Sequence, residues 1–269
     1  MPLFNLILVA LVQGITEFLP VSSSGHLILL PLLTGAPDQG LAIDVAVHVG
    51  TLLAVIVYFR AEVGAIIAGL PRLLTGRADT AGAKLALLLA IATVPVVLAG
   101  LAIKWSGLDE AMRSTAVIGW TMLLFGVVLY WTDQHGATNR QQKDWNLRDA
   151  ITLGLWQAVA LIPGTSRSGI TISGARYLGY DRSGAARIAM LMSIPTIAAS
   201  GVLLGADVAV QGDWQMLKLA ALAAAFAFAA ALLALVFMMR LLRSVSFTPY
   251  VIYRVILGAI LLWIAYRPV

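Results

Sequence analysis

The chain has 269 residues, 60% of them hydrophobic and only 12% charged, with a net charge of +5 and a mean hydropathy of +0.91. A soluble domain carries about 25% charged residues, so the composition excludes a soluble globular protein and describes an integral membrane one. Zero cysteines exclude disulfides, thiolate metal sites and cysteine nucleophiles. The basic residues are scattered over short loops, which assigns the positive charge to membrane topology rather than to nucleic-acid binding.

The first segment, about 1–33, is apolar but interrupted. No charged n-region or small-residue cleavage site follows Met1-Pro2, so it is expected to belong to the mature protein. The interruption reads Gln13-Gly14-Ile15-Thr16-Glu17-Phe18-Leu19-Pro20-Val21-Ser22-Ser23-Ser24-Gly25-His26. Gly and Pro break helices, and Glu, Ser and His are costly in hydrocarbon. Such a stretch persists at membrane depth only where it is buried in protein or lines a wet cavity. Spans of roughly 20 apolar residues follow at about 41–59, 84–103 and 114–131, with 60–84 as a loop. A second interrupted segment, about 150–175, holds Gln157-Ala158-Val159-Ala160-Leu161-Ile162-Pro163-Gly164-Thr165-Ser166-Arg167-Ser168-Gly169-Ile170. Three more spans follow at about 185–205, 216–239 and 250–266.

The two interruptions are related by a shift of 144 residues, which places Gln13 on Gln157, Ser22 on Ser166, Ser24 on Ser168 and Gly25 on Gly169. The predicted fold is an all-α polytopic membrane protein, a single transmembrane domain over 1–269 built from halves of about 1–132 and 150–269. Each half is one re-entrant helical hairpin plus three transmembrane helices. Three is odd, so the halves form an inverted-topology repeat, and duplicated broken segments point to a site near the midplane. With the 60–84 loop in the cytoplasm, that side holds twelve Lys and Arg residues, among them Arg60, Arg140, Arg182 and Arg243. The outer side holds Lys104, Arg113, Lys218 and Arg267, a positive-inside bias. The first hairpin then enters from outside and the second from the cytoplasm, with their tips expected to meet.

Arg167 is the sharpest single residue, because a guanidinium is always charged and its fork of donors suits phosphate. Ser166, Ser168 and Thr171 add hydroxyls, and Gly164 and Gly169 let backbone N–H groups approach a ligand. The plainer alternative is a snorkelling arginine in a short loop. In the first interruption Glu17 and His26 are candidate proton handlers. Ser22, Ser23 and Ser24 lie between them, and an activated serine attacks electrophiles. Here the plainer alternative is that Ser and His satisfy the backbone of a broken helix. Gln13 and Glu17 share a helix face, but an amide in place of a second carboxylate weakens a metal site built from these two alone. Asp44 and His48 can line the same cavity, hold a divalent cation or bond one another. His135 lies in a polar loop and is expected to be solvated.

At the two interruptions the chain resembles the bacterial undecaprenyl-diphosphate phosphatase family, the one also tied to bacitracin resistance. That family's Glu/Gln-x-x-x-Glu and Pro-x-Ser-Ser-x-Gly-His elements correspond to Gln13, Glu17 and Pro20 to His26. Its Pro-Gly-x-Ser-Arg-Ser-x-x-Thr element corresponds to Pro163 through Thr171. The resemblance spans the whole chain. It implies hydrolysis of a C55 polyprenyl diphosphate to the monophosphate carrier of peptidoglycan synthesis, and bacitracin resistance. It also implies a divalent cation, magnesium or calcium, held by Glu17 with a weak contribution from Gln13. The catalytic residues expected are Glu17, Ser23, His26 and Arg167: Ser23 as nucleophile, His26 taking its proton, and Glu17 orienting His26 or binding the metal. An activated water is the alternative nucleophile. Ser22, Ser24, Gly164, Ser166, Ser168 and Thr171 are expected to bind substrate. The partners implied are a polyprenyl diphosphate lipid and the bilayer, with a homodimer as an option and no nucleic acid. The expected location is the bacterial inner (plasma) membrane, multi-pass, with the active site open to the outer, periplasmic face. A second membrane phosphatase family with Ser-Gly-His and Ser-Arg elements needs a His after the Arg, and none follows Arg167. A polyprenyl-phosphate transporter using the same midplane site is the rival from another class.

Overall fold

The computed structural model describes residues 2–35, 39–108, 112, 114–209, 214–242 and 244–267. Arg113 and Arg243, used in the topology argument, and Met1 lie outside the described residues. In chain order the helices are α1 (Leu3–Phe18), α2 (Ser23–Thr34), α3 (Leu41–Tyr58), α4 (Arg60–Leu74), α5 (Ala81–Ser106), α6 (Thr115–His135), α7 (Leu147–Ala158), α8 (Arg167–Tyr177), α9 (Arg182–Ala209), α10 (Trp214–Leu241) and α11 (Thr248–Tyr266). Six of them, α3, α5, α6, α9, α10 and α11, are long and apolar enough to cross a bilayer. They coincide with the six predicted spans, and the chain is a polytopic integral membrane protein. Local chemistry sets several ends. The Thr80 and Ser114 side chains accept from Ala83 N and Val117 N at the starts of α5 and α6. Gly107 ends α5 in a left-handed conformation.

The 60–84 segment is not only a loop, since most of it is α4. Its charged and proline-interrupted sequence hides a helix that packs along α5, burying Gly69. Elsewhere the strongest pairings are α1 with α10, α7 with α5, α6 with α11, and α3 with both α10 and α9. Between helices in lipid, close packing of small residues drives association. The alanine-rich face of α10, with Ala223, Ala227, Ala230, Ala231 and Ala234 buried, is that surface. A Cβ on Gly14 would lie 2.6 Å from the Ala227 carbonyl oxygen, so only glycine lets α1 approach this closely. Gln13 and Glu17, the neighbours of that contact, consequently point inward and are buried.

At the end of the molecule that holds the α6–α7 connection, buried charges clasp the elements together. The Asp133 carboxylate accepts from Arg176 Nε at 3.2 Å, Arg182 Nε at 2.7 Å and Phe247 N at 3.1 Å. Asp149 accepts from Arg140 and, at 2.6 Å, from the Tyr180 hydroxyl. Burial, followed by the hydrogen bond to Asp149, pushes that hydroxyl well above the usual phenol range. Removing one partner of a buried ion pair costs about 3–5 kcal/mol. Asp133→Asn, which strands Arg176, is therefore expected to lower the thermal midpoint in detergent sharply, as read by tryptophan fluorescence. A midpoint within a degree or two of wild type would show that the clasp contributes nothing.

Candidate active site

Both interrupted segments fold as a helix, a break and a second helix. In the first, α1 ends at Phe18 and α2 starts at Ser23; in the second, α7 ends at Ala158 and α8 starts at Arg167. Among the described residues two that are not glycine have positive φ, Ser22 (71°) and Ser166 (70°). They are mates under the 144-residue shift, and each sits directly before the first residue of its second helix. Such strained backbone persists where the surroundings over-determine it, and it clusters at functional sites. Each break thereby presents a helix N-terminus, the end whose free N–H groups and dipole favour an anion.

The two breaks meet. Gly164 N donates to Ser24 Oγ at 3.2 Å, and Ser168 Oγ donates to the Leu19 carbonyl at 2.9 Å. Thr121 Oγ1 of α6 holds the Pro163 carbonyl at 2.6 Å. Gly164 itself has φ +86°, and a Cβ there would lie 2.7 Å from the Ile118 carbonyl oxygen, so glycine is required. Beneath both tips lies Arg254 of α11, fully buried and, among the described residues, hydrogen-bonded only to backbone carbonyls. Its Nη1 faces Pro20 O at 3.4 Å and its Nη2 Gly164 O at 3.1 Å, while Nε reaches Met122 O at 3.2 Å. Pro20 and Gly164 are again repeat mates, so one guanidinium ties equivalent points of the two breaks.

At this junction the Glu17 carboxylate is the hub. Its Oε1 accepts from Arg167 Nη2 at 2.8 Å, and its Oε2 accepts from Gln13 Nε2 at 2.8 Å and Ser23 Oγ at 3.1 Å. Three converging donors bind it as an ionised carboxylate. Gln13 Nε2 also faces His48 Nε2 at 3.2 Å. His48 Nδ1 donates to the Asp44 carbonyl at 2.7 Å, which leaves Nε2 as the acceptor in the neutral ring. His48 thus joins the site, while the Asp44 carboxylate accepts from Gln39 Nε2 instead. Ser22 Oγ bonds Ser24 Oγ at 3.0 Å and Ser166 Oγ bonds Ser168 Oγ at 3.2 Å, with Gly169 N donating to Ser166 Oγ. The Arg167 Nη1, Gln13 Oε1 and Thr171 Oγ1 atoms are buried without a hydrogen-bond partner among the described residues. Unsatisfied buried polar groups are rare and call for a ligand, water or ion.

His26 is placed differently from the sequence expectation. Its Nδ1 donates to the Ser22 carbonyl at 2.7 Å and its Nε2 meets the Tyr253 hydroxyl at 2.6 Å, whereas Ser23 is bonded to Glu17. His135 bonds the Trp131 carbonyl on an exposed surface. Arg254 and Tyr253 escaped the sequence reading, whereas His48 was among the residues expected to be able to line the same cavity. The one signal in the chain was a lone arginine, Arg254, inside an apolar span, where a charge is expensive. Beside His48, between α3 and α9, lies an apolar cavity of about 270 Å³ lined also by Val49, Leu52, Ile197, Ala198, Gly201 and Val202.

Six spanning-length helices closing on a buried carboxylate that a serine and an arginine hydrogen-bond define a polytopic integral membrane protein. The chain belongs to the BacA family: the family model described as bacitracin resistance protein BacA matches residues 6–260. Over 266 residues the chain is 69% identical to a protein of Dinoroseobacter shibae, covering 99% of this chain and 100% of that one. A Jannaschia protein is 70% identical at the same coverage. One from Alcanivorax borkumensis is 46% identical over 97% of this chain and 99% of its own length. All three relatives carry the name undecaprenyl-diphosphatase.

Proposed function

We propose that this protein hydrolyses undecaprenyl diphosphate to undecaprenyl phosphate and inorganic phosphate, recycling the lipid carrier of peptidoglycan synthesis and conferring bacitracin resistance. The full-length likeness to proteins of that name supports the substrate. The observation that carries the chemistry is the buried, unpartnered Arg167 Nη1 beside a serine hydroxyl already bonded to a carboxylate. Arg167, the α2 and α8 N-termini and Thr171 bind the terminal phosphate, and Ser166, Ser168 and Gly164 shape the cradle. Ser22 and Ser24 hold the neighbouring turn. The cavity beside His48 takes the first isoprene units, and the rest of the tail lies in the bilayer.

Ser23 Oγ attacks the terminal phosphorus, and its proton passes to Glu17 Oε2, the acceptor it already faces. The bond from that phosphorus to the bridging oxygen breaks, and undecaprenyl phosphate leaves. Arg167 holds Glu17 through Nη2 and meets the phosphate through Nη1. Water then attacks the phosphoserine and its Oγ–P bond breaks, the proton the water loses ends on His26, and Glu17 returns its proton to Ser23.

A divalent cation, magnesium or calcium, fits the donor set. Gln13 Oε1, with no partner of its own, Glu17 and Ser23 are hard oxygen donors. No group of three or more His, Cys, Asp or Glu side chains placed to hold a metal ion occurs among the described residues. One carboxylate completed by substrate phosphate oxygens is how magnesium is commonly held. When bound, the ion neutralises phosphate charge. Chelation of wild type with EDTA is expected to lower phosphate release by about tenfold or more, restored by added magnesium or calcium, because metal charge stabilisation is worth several kcal/mol. Undiminished release after chelation would remove the cation from the reaction. Phosphate release from polyprenyl diphosphate in detergent tests the whole reading. A folded protein that binds the lipid without releasing phosphate would leave a transporter.

The inverted-topology repeat and the re-entrant hairpins belong to the same proposal, as do the halves 1–132 and 150–269. In their favour, the α1–α10 pairing has its mate in α7–α5, α6 meets α11 and α3 meets α9, as a two-fold relation between halves requires. The repeat-mated serines at 22 and 166 support it equally. The inner-membrane location with an outward-facing site rests on the distribution of Lys and Arg.

A further inference from the structure

The Tyr253 hydroxyl is the partner of His26 across 227 residues of sequence, 2.6 Å from Nε2. Its side of the contact is well defined. The Ser22 carbonyl can only accept, so His26 Nδ1 carries the ring hydrogen, and in the neutral ring Nε2 holds the lone pair. The phenol must then be the donor. The two rings also stack, with centroids 5.5 Å apart and planes within 4°. Tyr253 precedes Arg254, whose guanidinium grips the carbonyls of both tips, so the backbone that carries the phenol is fixed against the site.

Two features make this more than packing. The working nitrogen of His26 is already occupied, so no water can give it a proton directly while the contact stands. The Tyr253 hydroxyl, 44% exposed as a residue, meets only His26 among the described residues, leaving its own lone pairs without a protein partner. A polar atom at membrane depth is costly unless water reaches it. A water on the open side of the phenol would complete a chain of water, phenol and imidazole.

The geometry points to Tyr253 as a further catalytic residue, a proton relay between the hydrolytic water and His26. This rests on the hydrolase reading above. As the water oxygen bonds to phosphorus and the Ser23 Oγ–P bond breaks, the water proton passes to Tyr253 Oη. The phenol proton passes in turn to His26 Nε2. Tyr253 ends unchanged, His26 becomes the imidazolium, and Ser23 regains the proton held by Glu17. A general acid–base step of this kind contributes about 10²–10⁴-fold, part of which a direct water can recover.

The test compares phosphate release by wild type, Tyr253→Phe, and protein with 3,5-difluorotyrosine placed specifically at position 253. The Phe variant keeps the ring stack and is expected to keep its thermal midpoint and KM, while kcat falls about tenfold or more. The fluorinated phenol keeps the shape but is more acidic, and its kcat is expected to change severalfold. A Phe variant with wild-type kcat overturns the relay. So does a fluorinated protein indistinguishable from wild type, since a purely structural contact does not sense phenol acidity. In both cases the hydrolase reading stands. Wild type that binds the lipid and releases no phosphate overturns that reading, and the relay with it.

Discussion

Arg167→Lys is expected to lower kcat/KM for phosphate release by about 10³-fold, equivalent to roughly 4 kcal/mol of lost transition-state stabilisation. The charge survives this substitution, so the loss isolates geometry. Arg167 spends Nη2 on Glu17 at 2.8 Å and keeps Nη1 buried and unpartnered for a ligand. An ammonium is a point charge that cannot serve both directions at fixed angles. Arg167→Ala is expected to be inactive for two separate reasons, because it also leaves Glu17 as a buried carboxylate without its cation, which costs about 3–5 kcal/mol of stability. Arg167→Ala combined with Glu17→Gln separates them. Thermal stability should recover in the double variant while activity stays absent. A Lys variant within tenfold of wild type would mean that Arg167 supplies charge alone.

The candidate site divides into what local sequence carries and what only the fold supplies. Glu17, Ser23 and Arg167 are readable because each is a costly residue at membrane depth within a helix-breaking stretch, and the stretches repeat at a fixed shift. The six spans are readable because length and hydropathy alone define them. Helix α4 is not, since Glu62, Arg72 and Pro71 interrupt the apolar pattern and its stability comes from packing along α5. The His26 assignment depended on proximity in the chain. His26 lies only three positions after Ser23, yet the first turn of α2 aims the ring at α11 and the hydroxyl at α1. Tyr253 looks like one more interfacial aromatic until the chain folds. Arg254 carries a recognisable signal as a charge in a span, but nothing local says that its partners are the carbonyls of Pro20 and Gly164.

Ser23→Ala is expected to reduce kcat by about 10³-fold or more and to abolish a covalent intermediate, if serine is the nucleophile as proposed. Removing either member of a cooperating nucleophile–base pair has cost on the order of 10⁶-fold in kcat in one well-studied hydrolase. The alternative, direct attack by water, makes a smaller demand on Ser23. There its hydroxyl would only help to hold Glu17 Oε2, which still has Gln13 at 2.8 Å and, through Oε1, Arg167 at 2.8 Å. Losing that one hydrogen bond to a charged group is worth about 1.5–3 kcal/mol, or roughly ten- to a hundredfold. The two mechanisms therefore differ in the size of the loss as well as in its product. Rapid quenching with substrate labelled in its terminal phosphate measures both. Wild type should carry label on the protein at early times, and Ser23→Ala should carry none. Substantial turnover by Ser23→Ala, with no labelled protein in wild type, would transfer the attack to water and leave Glu17 as its base.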